Sequence, residues 1–289
     1  MIHVRDATSK RAAHVGGCPA RSTIESLQDV DRGHGGRMVG AGVDVVLLGA
    51  VTGVLVLAGV VKGTLGFGPA LVSVPVLVQA FDPKVAIAAF SIPMLVGNLV
   101  VLWRDGVSWG VVRPRWRLVA VVFLTTVVGA VGLIALPADA LSLAVGVGVL
   151  GYLAVTHRSD GGTLAAYAGR PWSEYVAGSV AGVLGGALGM GGLPLATYLD
   201  ARGLERDTFT LVLVVLLTLN NSVRIAALWA GGLFARAELL LGAAFVAPLF
   251  LGVVAGVRLR RHVSPAHFTA LVRLVLLVSA LRLVYGTLA

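Results

Sequence analysis

Eight apolar runs divide most of this chain, and almost no charge falls inside them: Val43–Val61, Val85–Trp103, Leu118–Leu136, Leu141–Val155, Tyr175–Leu188, Phe209–Leu228, Leu239–Val257 and Phe268–Val284. Several approach the roughly 20 residues that a helix needs to cross the hydrocarbon core of a bilayer. A backbone in hydrocarbon must satisfy its own hydrogen bonds, so the choice is between helices and closed barrels. The runs are rich in Gly and Ala, which suits close helix packing better than barrel strands. Charged residues make up 13% of the 289, against about 25% in soluble domains, and the mean hydropathy is +0.91. The expectation is an all-α polytopic membrane protein.

A repeat lies within these runs. Ala58–Gly68 reads AGVVKGTLGFG and Ala181–Gly191 reads AGVLGGALGMG, with seven of eleven positions identical at an offset of 123 residues. A proline follows each copy, Pro69 and Pro194. Glycine clusters running into a proline predict a break in a membrane helix, and paired breaks in the two halves of a chain point to a secondary-transporter site. Ten helical segments follow from this reading, about 42–65, 69–81, 84–103, 116–136 and 140–156 in the first half, and 173–189, 193–200, 206–229, 237–257 and 268–288 in the second. The second segment of each half is too short to span about 30 Å of hydrocarbon. If these two are re-entrant, eight spans remain.

Five segments per half is an odd number, so the halves are expected to be inverted copies. With all ten segments changing sides, one set of loops holds Arg104, Arg113, Arg115, Arg117, Arg158, Arg170, Arg202, Arg206, Arg258, Arg260 and Arg261, and the other only Lys84 and Arg236. Eleven against two places the first set in the cytoplasm. The same distribution accounts for the net charge of +9 without a nucleic-acid partner. The domains are then a tail over 1–37, a first transmembrane repeat over 38–156, a cytoplasmic linker over 157–172 and a second repeat over 173–289. The tail is polar, lacks the apolar core of a signal peptide and is expected to be disordered. Met38, just before the first span, is an alternative start. The single cysteine, Cys18, lies in the tail, which leaves no disulfide or thiolate chemistry for the membrane region.

The candidate binding residues collect at the breaks. Gly66, Gly68 and Pro69 in the first copy correspond to Gly189, Gly191, Gly192 and Pro194 in the second. Glycine admits positive φ and close approach by a ligand, and an irregular backbone at membrane depth has to line a cavity or be covered by protein. The helices that start at the two prolines would aim free N–H groups at the break, an arrangement that attracts anions. Tight helix packing is the competing explanation, and Gly59–Gly63 and Gly178–Gly182–Gly186 have its four-residue spacing. Asn98 and Asn221 match at the same offset, with Asn220 beside the second. An amide in an apolar helix either pins helices together or donates to a ligand. Arg224, one turn beyond Asn221, either faces the cavity or reaches for the surface, and the same pair of readings applies to Lys62. No set of His, Cys, Asp or Glu has metal spacing within the spans, and no nucleophile–base pair does either. No enzyme and no cofactor is expected.

These motifs resemble the sulfite exporter TauE/SafE family of membrane permeases. The likeness rests on GTLGFGPALVSVPVLV at Gly63–Val78, on GALGMGGLPLATYLDARGL at Gly186–Leu204, and on the Asn220, Asn221 and Arg224 group of the following helix, and it extends over about residues 40–289. One departure is Pro69, which stands where many relatives carry glycine. The resemblance implies a permease of the inner (plasma) membrane that moves a small anionic solute such as sulfite, an organosulfonate or an organic carboxylate. The alternative is a membrane subunit of a multi-component anion transporter, or an anion channel. The coupling ion, proton or sodium, stays open, because no carboxylate stands at clear midplane depth.

Overall fold

The computed structural model describes residues 45–65, 68–158, 168–259 and 276–286. The tail, Gly66 and most of the loop between the halves lie outside the described residues. The described chain is helical in ten pieces. They are α1 (Val45–Leu65), α2 (Pro69–Ala80), α3 (Pro83–Asp105), α4 (Trp116–Ala135), α5 (Ala138–Arg158), α6 (Ser173–Leu188), α7 (Gly192–Ala201), α8 (Arg206–Ala230), α9 (Arg236–Leu259) and α10 (Leu276–Gly286). A helical turn over Trp109–Val112 and a 3₁₀ turn over Arg113–Arg115 lead into α4. Each of the ten falls on a segment expected from sequence. Among the described residues five helices are long and apolar enough to cross a membrane, with spans at Leu47–Thr64, Pro83–Arg104, Trp109–Ala135, Arg206–Ala230 and Arg236–Leu259. The protein is thus an all-α, multi-pass membrane protein. α2 and α7, at 12 and 10 residues, reach only about 18 and 15 Å.

Local chemistry sets the ends. Pro69 and Pro83 occupy the first turns of α2 and α3, where the missing N–H costs nothing. Asp82 caps α3 by accepting from the N–H groups of Lys84 and Val85. Gly68 (φ +90°) and Gly189 (φ +75°) are left-handed, a conformation that L side chains resist. Gly189 closes α6 by donating its N–H to Gly185 O at 3.0 Å.

Glycines bring the helices together. A Cβ at Gly59 or Gly63 would run into the backbone of α9 at Leu249, Gly252 and Val253, or at Val253, Gly256 and Val257. Gly186 meets the backbone of α4 in the same way, at Thr126 and Ala130, and a Cβ at Gly182 would meet the Thr125 side chain and the Val122 carbonyl. The α4–α6 contact is an extensive one. Gly49 and Gly53 share the spacing but have no neighbour within 4 Å among the described residues. Trp103, Trp109, Trp116, Trp172 and Trp229 are exposed and stand at or near helix ends, the position of an aromatic belt.

Candidate functional site

The two glycine breaks meet at one cavity. Its wall comes from Lys62, Gly68, Pro69, Ala70 and Leu71 on one side and Gly189, Met190, Gly192 and Leu193 on the other, with Met94 of α3 and Leu217 of α8. The lining contains no carboxylate. The first-turn residues of both α2 and α7 take part, and neither helix start has a side-chain cap. Its free volume is about 10 Å³, close to the room needed by a single water molecule.

Two buried cations stand beside this cavity, one from each half. Lys62 is a lining residue, and its Nζ donates to Asn98 Oδ1 at 2.8 Å. Gly97 makes way for it, since a Cβ there would lie 3.4 Å from Lys62 Cε. Arg224, only 1% exposed, lies behind the second break with its guanidinium against Gly189; a Cβ on that glycine would come within 2.5 Å of Nη1. It donates from Nη1 to Gly185 O at 3.1 Å and from Nη2 to Asn221 Oδ1 at 3.0 Å. Among the described residues neither cation is paired with a carboxylate; the hydrogen-bond acceptors they hold are amide oxygens. Among the described residues the buried Asn98 Nδ2 and Arg224 Nε have no hydrogen-bond partner. A buried donor normally finds one.

The remaining candidates are distributed around this centre. Asn221 Nδ2 donates to Leu217 O at 2.8 Å, which turns its oxygen toward Arg224. Asn220 points the other way and donates to Thr126 Oγ1 at 2.7 Å. It therefore ties α8 to α4. Gly191 does not line the cavity; a Cβ there would press on Ala181 O and Gly185 Cα, so it serves the α6–α7 approach. Pro194, half-buried in the first turn of α7, is also outside the lining. Gly66 lies outside the described residues. Sequence reasoning did not single out Thr126, Met94 or Met190. Thr126 was visible as a hydroxyl within an apolar run, whereas an apolar side chain that faces a cavity has no such mark.

Two buried cations and two short helix starts thus meet within the helices of a multi-pass membrane protein. The family model described as sulfite exporter TauE/SafE matches residues 30–283, and the chain belongs to that family. This is a family of transporters and not of catalysts; among the described residues no cluster of His, Cys, Asp or Glu has the makings of a metal site. No curated protein and no solved structure matches the chain.

Proposed function

We propose that the protein is a secondary carrier for a small anion, such as sulfite, an organosulfonate or a small carboxylate, in the cell's inner membrane. The observation that carries this reading is the cavity between the two breaks, with cationic Lys62 in its wall, Arg224 behind Gly189 and no carboxylate in its lining. A small anion that leaves water loses its solvation, and fixed donors have to replace it. The uncapped starts of α2 and α7 are donors of that kind in the wall, and Asn98 Nδ2, on the residue that holds Lys62, and Arg224 Nε, on the residue behind Gly189, are buried donors without a partner among the described residues. The offset of 123 residues between the two breaks, and between Asn98 and Asn221, supports two inverted halves that rock about the cavity. The small cavity volume fits a closed stage of such a cycle.

The test is an uptake screen in proteoliposomes over sulfite, sulfoacetate, sulfate, acetate and lactate, with and without a pH gradient. Saturable uptake of at least one anion is expected. Flux that rises linearly with concentration would favour a channel, and no protein-dependent flux of any anion would overturn the reading.

A further inference from the structure

The two halves solve the same problem with opposite helices. In the first half the cation stands on the helix before the break, and Lys62 reaches across to Asn98 on α3. In the second half the residue matching Lys62 is Gly185, and the cation stands on the asparagine helix, where Arg224 reaches back to the Gly185 carbonyl and to Asn221. The residue matching Arg224 in the first half is Val101. Thus each half places one cation on its own asparagine, although the two cations are not at matching positions. Packing alone has no use for this, since either break could have been filled by an apolar side chain. Retaining one buried positive group per half, each on a neutral acceptor, leaves two charges without an anionic partner among the described residues, an expensive arrangement until something negative arrives.

We propose that Lys62–Asn98 and Arg224–Asn221 are equivalent half-sites that together select an anion with two negative charges over one of the same size with a single charge. The inference rests on the carrier reading above. A dianion satisfies both cations at once; a monoanion leaves one of them unanswered. Asn98 Nδ2 and Arg224 Nε supply the additional hydrogen bonds, one in each half-site. The charged side chains elsewhere on the surrounding helices do not compete for this role. Lys84, Arg104 and Asp105 are at the ends of α3, Asp200 is at the far end of α7, Arg206 and Asp207 open α8, Arg236 and Glu238 open α9, and Arg258 is exposed near its end. Arg224 packs against Gly189 in the part of the wall that the second half contributes, and Lys62 belongs to the part that the first half contributes.

Sulfate and methanesulfonate make a matched pair of probes, because they are similar in size and shape but carry two charges and one. Binding of each to the purified protein by calorimetry, at fixed ionic strength, is the measurement. Wild type is expected to favour sulfate by about tenfold or more. Lys62→Gln and Arg224→Gln should each remove most of that preference, whereas Lys62→Arg should keep it. Melting temperatures run beside the titrations separate lost selectivity from lost folding. Equal binding of the two anions by wild type would overturn the inference, and so would an undiminished preference in folded Lys62→Gln. If neither probe binds while proteoliposomes still take up a monocarboxylate, the two-charge inference fails and the carrier reading stands. If no anion is bound or transported, both fail.

Discussion

At the scale of single residues, Gly189 and Arg224 define each other. The guanidinium occupies the space that a side chain at Gly189 would need, and the backbone there is left-handed. Gly189→Ala is therefore expected to cost about 1–2 kcal/mol for the conformation alone and to displace Arg224, lowering both the melting temperature in detergent and anion uptake. Gly192→Ala makes a useful contrast. Its Cβ would meet Leu217 at an ordinary 3.5 Å, with a helical backbone, so folding should be nearly unchanged. Arg224→Gln should weaken anion binding by about 1–3 kcal/mol, with partial recovery in Arg224→Lys, which restores the charge but not the planar fork. Affinity read beside melting temperature checks this, and equal affinity in wild type and Arg224→Gln would remove the arginine from the site. Arg224 and Asn221 were legible because polar atoms in an apolar helix need a reason. The division of labour between Asn220 and Asn221 was not. Adjacent residues on a helix point about 100° apart, and which of them faces α4 depends on how α8 is rotated in the bundle.

At the scale of elements, the crossings of α1 with α9 and of α4 with α6 depend on backbone meeting backbone. Gly59→Leu or Gly252→Val would push a side chain into main-chain atoms that cannot swing away. A loss of about 1–3 kcal/mol or more is expected, visible as a lower melting temperature in detergent. Gly53→Ala, with open space around it, should be neutral or gain up to about 1 kcal/mol from helix propensity. The four-residue spacing was readable at Gly59 and Gly53, though not singled out at Gly252, and it does not distinguish a glycine under a neighbouring helix from one that faces outward. The ends of the helices were more legible, since Pro69, Asp82 and Pro83 act through local geometry. At the breaks the outcome was less regular. Positive φ occurs at Gly68 in the first half and at Gly189 in the second, and at the offset of 123 Gly189 corresponds to Gly66. The matched pair Gly68 and Gly191 therefore differ in backbone, left-handed at the first and helical (φ −65°) at the second, although the helices that follow start at matching positions, Pro69 and Gly192.

At the scale of the whole molecule, the arginine-rich loops should share one side of the membrane. In a Cys18→Ala background, Val107→Cys between α3 and α4 is expected to resist an impermeant thiol reagent added to intact cells, and Ala235→Cys between α8 and α9 to react with it. Both positions are exposed or adjoin open loop. Ready labelling of Val107→Cys from outside would reverse the orientation. The membrane class and the sequence of helices were legible because hydrocarbon imposes a length and an apolarity on each span. The cavity wall was not, because it is assembled from residues more than 120 positions apart whose side chains are mostly apolar. The charges at that cavity also bear on kinetics. An unloaded carrier would have to return with Lys62 and Arg224 resting only on amide oxygens, whereas a loaded one returns with both answered. Homoexchange should therefore outpace net movement, and vesicles preloaded with the transported anion should take up labelled anion faster than empty vesicles do.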